Sequence, residues 1–471
     1  MNAPQKPPPV RTDDATLQDL VAELNKRYGN RVVTSLAVRR QHANTLTWVE
    51  NEPPDVVVMP ETTAEVSAIV KLCAERGVPV VPFGAGTSFE GHTNAPFGGV
   101  SVDFGLMKRV IAVHPEDLDC VVEPGVTRKE LNEHLRDQGL FFPIDPGADA
   151  SLGGMVATRA SGTNAVRYGT MKDNVLALVA VLPNGDVVRT SRRARKSSAG
   201  YDLTRLLVGS EGTLGIVTEI TLKLHGIPEA ISAGSCSFPS VKAACDAVIV
   251  TIQSGLPVAR IELLDAMQVR ACNAYSNLAL PESPLLLVEF HGSPAGVAEQ
   301  AESFGAIAAE FGGGPFEWAT ATEDRNRLWQ ARHDAYWASL ALRPGAKAIS
   351  TDVCVPISRL AECVEATQED IAATGLVAPI VGHVGDGNFH VLPLVDMENA
   401  DEIEAAKAFV ERLVLRALDM EGTCTGEHGV GQKKMKYLEA EHGPEALDLM
   451  RALKRAVDPA NIMNPGKIVA L

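Results

Sequence analysis

His383 and His390 belong to the segment Gly382-His383-Val384-Gly385-Asp386-Gly387-Asn388-Phe389-His390, framed by the apolar residues Ile380, Val381, Val391 and Leu392. Asp386-Gly387 is a two-residue hairpin signal. With that turn, Gly385 faces Asn388, Val384 faces Phe389 and His383 faces His390. Directly opposed residues project to one face with Cβ atoms about 5 Å apart, so two imidazoles there can chelate one divalent metal. The plainer reading is a hydrogen-bonded histidine pair on a half-buried sheet. A second segment, Gly426-Glu427-His428-Gly429-Val430-Gly431, offers a carboxylate and a third histidine in a glycine-rich loop. His383, His390 and Glu427 would then form an open metal site, with positions left for water or substrate. Two histidines and a carboxylate suit zinc, and manganese or iron(II) is compatible. Glu427 could instead be a loop carboxylate bound to backbone N–H groups. Asn388 and Asp386 read as turn formers, with support of a ligand as their other role.

The stretch Pro82-Phe83-Gly84-Ala85-Gly86-Thr87-Ser88-Phe89-Glu90-Gly91 follows a predicted strand. Glycines let the backbone approach a phosphate closely, and successive N–H groups make an anion-binding nest. It is neither a dinucleotide fingerprint nor a Walker loop, because the spacing and the Gly-Lys-Ser/Thr are both lacking. Similar turns recur at Asp145-Pro146-Gly147, Gly153-Gly154, Ser161-Gly162-Thr163 and Gly209-Ser210-Glu211-Gly212-Thr213-Leu214-Gly215. So many backbone-exposing loops in one half of the chain point to a long, phosphate-bearing ligand.

The elements that must carry these loops follow from periodicity. Residues 15–28 have helical spacing stopped by Gly29; residues 55–59 read as a strand closed by Pro60. Thr62 and Glu65 have capping-box spacing for a helix running to Gly77, and 78–83 is the next strand. Residues 176–182 and 187–190 flank a Pro183-Asn184-Gly185-Asp186 turn, which predicts a hairpin. After about residue 228, strands at 258–263 and 285–290 alternate with helices at 295–311, 323–341 and 357–374. The class is α+β, with an antiparallel sheet in the second half. The organisation expected is a lead-in and helix over 1–50, a ligand-binding domain over 51–227, a cap over 228–415 and a helical segment over 416–471.

The 471 residues are 45% hydrophobic and 22% charged, the composition of an ordinary globular protein. A formal charge of -16 excludes a nucleic-acid partner as the working hypothesis, since phosphate binding needs a basic footprint. The basic run Arg192-Arg193-Ala194-Arg195-Lys196 reads as a solvated loop, or else as a docking patch for an acidic electron acceptor. No apolar run approaches a membrane span. Residues 1–9 lack the apolar core of a signal peptide and read as a disordered lead-in, and the eight cysteines are scattered without a CxxC pair. The expectation is a reduced, cytoplasmic protein, with peripheral contact with a quinone-bearing membrane left open.

With these motifs in order, the sequence resembles the vanillyl-alcohol oxidase/p-cresol methylhydroxylase superfamily of flavoproteins. It is most similar to the branch of D-lactate dehydrogenase (cytochrome) and the glycolate oxidase D-subunit. The carrying segments are Pro82–Ser88 in the first loop, Val121-Val122-Glu123-Pro124-Gly125-Val126-Thr127, Phe142-Pro143-Ile144-Asp145-Pro146-Gly147-Ala148-Asp149-Ala150-Ser151, and the Gly209 to Gly215 turn. The His383 hairpin and the Gly426-Glu427-His428-Gly429 loop complete the set, so the likeness runs from about residue 50 to the end.

The resemblance implies a two-subdomain FAD-binding domain and an α+β cap. By position, Gly84, Ala85, Gly86, Thr87 and Ser88 match the pyrophosphate loop. Pro146, Gly147, Ser151, Gly154, Ser161 and Gly162 match flavin-side turns, Glu211, Gly215 and Ile216 a later strand, and Asn464 a residue returning to the flavin. Relatives that bind FAD covalently carry a histidine where this chain has Thr87, which implies non-covalent FAD. The implied chemistry is oxidation of a D-2-hydroxy acid, D-lactate foremost, to the 2-oxo acid, with hydride passing from C2 to flavin. A metal on His383, His390 and Glu427 would lower the hydroxyl pKa, and His428 is the candidate base, because imidazole titrates near neutral pH. Arg332 is implied as the carboxylate anchor, with Tyr336 one helical turn later on the same face. His333 would point away from Arg332 and is read as structural.

Electrons would go to cytochrome c, a quinone or another carrier rather than to NAD. The alternatives kept open are a glycolate oxidase-like subunit, an oxidase, a D-2-hydroxyglutarate dehydrogenase, a metal-dependent hydrolase without flavin, and a non-catalytic flavin-binding module. Oligomeric state, a homodimer among the options, is not written in these motifs.

Overall fold

A computed structural model describes residues 11–319 and 322–471, so the expected lead-in at residues 1–9 lies outside the described residues. The N-terminal half carries two large sheets and a two-stranded pair, Leu140–Phe141 with His225–Gly226. The first has four strands in the order Val32–Val33, Val56–Val58, Val100–Asp103, Val80–Phe83. Val56–Val58 and Val80–Phe83 both run parallel to Val100–Asp103, which lies between them. The expected β-α-β opening is therefore present with a later strand inserted at its centre. Its helix Thr63–Arg76 begins where the Thr62 hydroxyl accepts from the Glu65 N–H, a cap worth about 1 kcal/mol. It stops at Gly77, whose φ of 65° is a left-handed end that favours glycine. Glu65 does not reach back to Thr62; its carboxylate takes Glu61 N–H and the Arg31 guanidinium instead.

The second sheet is antiparallel, in the order Val110–His114, Asp119–Val122, Ile216–Lys223, Val175–Val181, Val187–Arg189. Its last pair is the predicted hairpin around Asn184-Gly185. Each large sheet has its own apolar core, and residues of the glycine loops line one shared cleft.

From residue 230 the chain builds the cap, a seven-stranded sheet ordered Glu317–Ala319, Ala230–Ser237, Leu285–Gly292, Val258–Leu264, Ile380–Gly382, Asn388–Val391, Val353–Cys354. All its strand pairings are antiparallel. The helices Val241–Gln253, Pro294–Glu310, Leu360–Thr374 and Ala400–Asp419 supply its main core. The helix expected over 323–341 is two helices, Thr322–His333 and Ala335–Ala341, interrupted at Asp334. The expected helical C-terminus is only partly helical, with Leu438–His442 and Pro444–Val457 after a long irregular stretch.

Polar contacts fasten the two halves. Arg260 of the cap lies 2.9 Å from the Asn164 side-chain oxygen and 3.3 Å from Asp145, both in the N-terminal half. Tyr168 meets His291 at 2.7 Å, and His291 in turn meets Glu289 at 2.8 Å. The chain's end returns to the first sheet: Val80 N–H donates to Ile462 C=O at 2.7 Å and Asn464 N–H to Val80 C=O at 2.8 Å. Among the described residues, no helix is long and apolar enough to cross a membrane.

Candidate active site

His383 and His390 do not sit opposite one another. Val381 pairs with His390 and Ile380 with Val391, a register two residues away from the one expected. The tight turn fails because it needs positive φ at both central residues, and only Gly387 has it. Residues Val384–Asp386 form a 3₁₀ turn instead, ended by Gly387 at φ 78°. A slip of two preserves the face, since side chains alternate with period two. The rings are therefore diagonal neighbours, with centroids 5.5 Å apart.

Glu427 joins them. Its Oε1 lies 3.2 Å from His383 Nε2 and 3.3 Å from His390 Nε2. Its Oε2 is buried without a hydrogen-bond partner. The three side chains offer ligand atoms all within 4.8 Å of one another. Each histidine has its other nitrogen engaged: His390 Nδ1 meets Thr351 C=O at 2.9 Å, and His383 Nδ1 meets Glu262 at 2.8 Å. That pattern aims both Nε2 atoms at one point, and the unpaired Glu427 oxygen shares it, so the donor set fits a divalent cation. Burial by itself would raise the Glu427 carboxyl, but the facing His383 and His390 hold it well below the usual carboxylate range. Burial likewise works against charge on His383, and Glu262 with Glu427 overrides it, so its imidazole is raised well above the usual value. His390 goes the other way, lowered by burial against the pull of Glu427.

His428 follows Glu427 on a loop held by Asp352. The buried Asp352 carboxylate accepts from Glu427 N–H at 2.9 Å, His428 N–H at 2.7 Å, the Thr425 hydroxyl at 2.8 Å and Asn388 Nδ2 at 2.9 Å. Burial opposes its ionisation, but His428, Lys434 and His390 keep it below the usual carboxylate range. Asn388 thus supports the ligand loop as well as the turn, while Asp386 stays exposed. The His428 ring stacks on His390 with centroids 5.0 Å apart and 9° between planes, and Phe89 packs edge-on at 4.8 Å. His428 Nδ1 has no hydrogen-bond partner, although Glu90 lies 3.8 Å away.

Arg332 and Tyr336 lie on separate helices, yet both reach the wall of the same cleft. Arg332 is buried, with Nε 2.8 Å from Glu262 Oε2. Its Nη2 stands 2.6 Å from that oxygen without the alignment of a hydrogen bond, and finds no other partner. Tyr336 stacks on Phe89 at 5.5 Å, and its hydroxyl donates to Leu46 C=O at 3.2 Å. His333, expected to be structural, also lines the cleft, as the last residue of its helix before the break at Asp334.

The cleft runs from these side chains along the glycine loops. Gly84, Ala85, Gly86, Thr87, Ser88, Pro146, Gly147, Ser151, Gly154, Ser161, Glu211, Gly215, Ile216 and Asn464 all lie on its wall. Gly162 does not: at φ 147° it packs on Asp145, where a Cβ would come within 2.5 Å of backbone. Ser151 Oγ, Asn464 Oδ1 and both His92 nitrogens are buried there without hydrogen-bond partners. A Cβ on Gly84 would lie 2.1 Å from Ser151 Oγ, so glycine lets the backbone come this close without displacing that hydroxyl. A narrow cradle of bare backbone with unpaired polar atoms fits a dinucleotide such as FAD. Glu211 joins the cradle to the loop that carries Glu427 and His428, accepting from Val430 N–H at 2.7 Å and Gly431 N–H at 2.9 Å.

Glu262, Asp352, Glu90 and Lys434 were not singled out from sequence. A signal for the first existed: Arg260 and Glu262 are charges at alternate positions of an otherwise apolar strand. Asp352 carried none, because its partners come from residues 36 to 82 positions downstream.

Residues 227–468 match the family of FAD linked oxidases, C-terminal domain, and residues 54–191 the FAD binding domain. Over 461 residues the chain is 50% identical to a probable D-lactate dehydrogenase, mitochondrial, of Danio rerio, spanning 97% of this chain and 93% of that one. It is 52% identical over 416 residues to a D-lactate dehydrogenase (cytochrome), mitochondrial, of Arabidopsis thaliana, spanning 88% and 73%. The structure of p-cresol methylhydroxylase with substrate bound matches with a TM-score of 0.78, at 18% identity over 98% of each chain. The expectation of a cytoplasmic location is corrected here: both relatives are mitochondrial by name. The cradle of glycine turns, the cap sheet above it and these matches agree, and the chain belongs to the FAD-linked oxidases, an FAD-dependent oxidoreductase with the p-cresol methylhydroxylase type of fold.

Proposed function

We propose that the chain oxidises a D-2-hydroxy acid, D-lactate foremost, to the 2-oxo acid and passes the electrons to cytochrome c or another one-electron carrier. The observation that carries this reading is the meeting, in one cleft with the FAD cradle, of the His383/His390/Glu427 trio, His428 and Arg332. The substrate and the acceptor are those in the names of the relatives above. The mitochondrial site of action in those names belongs to the same reading. So do non-covalent FAD, given Thr87 in the first loop, and the division into segments 1–50, 51–227, 228–415 and 416–471.

FAD on the glycine cradle would supply the hydride acceptor, and His383, His390 and Glu427 would hold a divalent cation, zinc or else manganese or iron(II), that would supply a Lewis acid for the substrate hydroxyl. The chain's own groups do the rest. Arg332, at the cleft wall, offers its guanidinium to the substrate carboxylate, a charge-assisted contact that fixes which face of C2 is presented. His428 takes the hydroxyl proton, its ring held by the stack on His390 and by Phe89. Phe89 and Tyr336, stacked with centroids 5.5 Å apart, form an apolar part of the wall that limits water at the reacting carbon.

Dialysis against a chelator, with flavin absorbance and D-lactate:cytochrome c reductase activity followed together, tests the reading. Activity should fall with metal content while flavin stays bound, and return on adding zinc or manganese. Full activity in protein shown free of metal contradicts the metal-assisted part. A colourless protein that cannot be reconstituted with FAD contradicts the whole.

A further inference from the structure

We propose that Glu262 is a positioning residue whose single carboxylate sets the orientation of both Arg332, the substrate anchor, and His383, a metal ligand. The inference rests on the reading of the cleft given under Proposed function.

Glu262 lies in the strand Val258–Leu264, centrally in the cap sheet, and is 1% exposed. Leu263 pairs with Gly382 and Leu264 with Val381, so the same register sets Glu262 opposite His383 on a shared face. A carboxylate so deeply buried is costly unless both oxygens are matched. Here they are: Oε1 lies 2.8 Å from His383 Nδ1, and Oε2 accepts from Arg332 Nε at 2.8 Å.

Two consequences follow. His383 must carry a proton on Nδ1 to meet this anion, which leaves its Nε2 lone pair aimed at the point beside Glu427. Arg332 commits Nε to Glu262 and holds Nη2 2.6 Å from the same carboxylate oxygen, so its planar fork is fixed against this carboxylate at the cleft wall. His390 is oriented differently, by the neutral carbonyl of Thr351. The carboxylate thus makes His383 the more electron-rich of the two ligands, to a degree set by how firmly Arg332 shares it.

The test compares holoenzyme of wild type, Glu262→Gln and the double variant Glu262→Gln/Arg332→Gln. The readouts are zinc affinity by chelator competition, kcat and KM for D-lactate, and thermal unfolding. Glu262→Gln should weaken zinc binding about 10- to 100-fold and raise KM at least about tenfold as Arg332 loses its alignment. The double variant, with no uncompensated buried charge, should fold and still show the weakened zinc affinity. Wild-type zinc affinity in either folded variant overturns the proposal. A ¹⁵N histidine spectrum of zinc-loaded wild type checks it without substitution: His383 should be protonated on Nδ1, and protonation on Nε2 instead overturns it. A wild type that binds no zinc and leaves D-lactate untouched contradicts the reading of the cleft itself, a result distinguishable from failure of Glu262 alone.

Discussion

His383 and His390 meet as diagonal neighbours, because Val381 rather than His383 pairs with His390 across the hairpin. The two-residue offset keeps both rings on one face, and Glu427 bridges them at 3.2 and 3.3 Å. Removing one ligand should therefore empty the site without unfolding the sheet. His390→Ala is expected to lose bound metal and about a thousandfold or more in kcat, because a Lewis acid contributes several kcal/mol. Flavin absorbance should be retained. Metal analysis beside the visible spectrum checks this, and a His390→Ala protein with full metal content argues against the trio.

His428 has a different part, so its loss should look different. His428→Asn is expected to keep metal and flavin but to lower kcat by about 10²- to 10⁴-fold, the range for a positioned general base. KM should change far less. A large rise in KM with kcat unchanged would mean that His428 binds substrate rather than moving its proton.

Arg332 is the one Lys or Arg among the described residues that line the cleft, and Glu262 already shares its charge. A second substrate carboxylate would meet Phe89, Tyr336 and Trp337 without a counter-charge. D-2-hydroxyglutarate should have a kcat/KM at least about 10- to 100-fold below that of D-lactate. Equal values would require another cation near the substrate.

Much of the architecture could be read directly from residues: the Thr62 cap, the Gly77 stop and the Asn184-Gly185 hairpin all rest on local φ/ψ requirements that neighbours alone satisfy. The glycine turns were legible for the same reason. The register of the His383 hairpin was not, because Asp386-Gly387 suits two turn types and the choice is made by packing. Gly387 sits where a Cβ would lie 2.1 Å from Val355 C=O, just past the neighbouring strand Val353–Cys354. The break at Asp334 escaped notice because the apolar spacing continues across it. Glu262 and Asp352 escaped because a buried carboxylate has meaning only through partners distant in sequence, such as His383 and Thr425.

Lys467 gives a prediction in pH. It is 2% exposed, and its ammonium nitrogen donates to Asn94 C=O at 2.8 Å. Burial pushes its amine down to about 7, against the pull of Glu52 and Glu211. Between that value and the ordinary lysine pKa the unfolded chain binds the extra proton, so stability should rise as pH climbs from about 7 toward 10, and the penalty is complete below about 7. The full effect is at most about 5 kcal/mol. Lys467→Met should therefore be more stable than wild type near pH 6, with the difference shrinking toward pH 10. Urea unfolding at several pH values checks this, and a difference constant with pH contradicts it.

The most direct test of the central claim is the anaerobic absorption spectrum of the purified protein, with D-lactate added in one cell and L-lactate in another. The account predicts bleaching of the flavin band by the D form alone. A flavin band unchanged by D-lactate, or bleached equally by both forms, would contradict it.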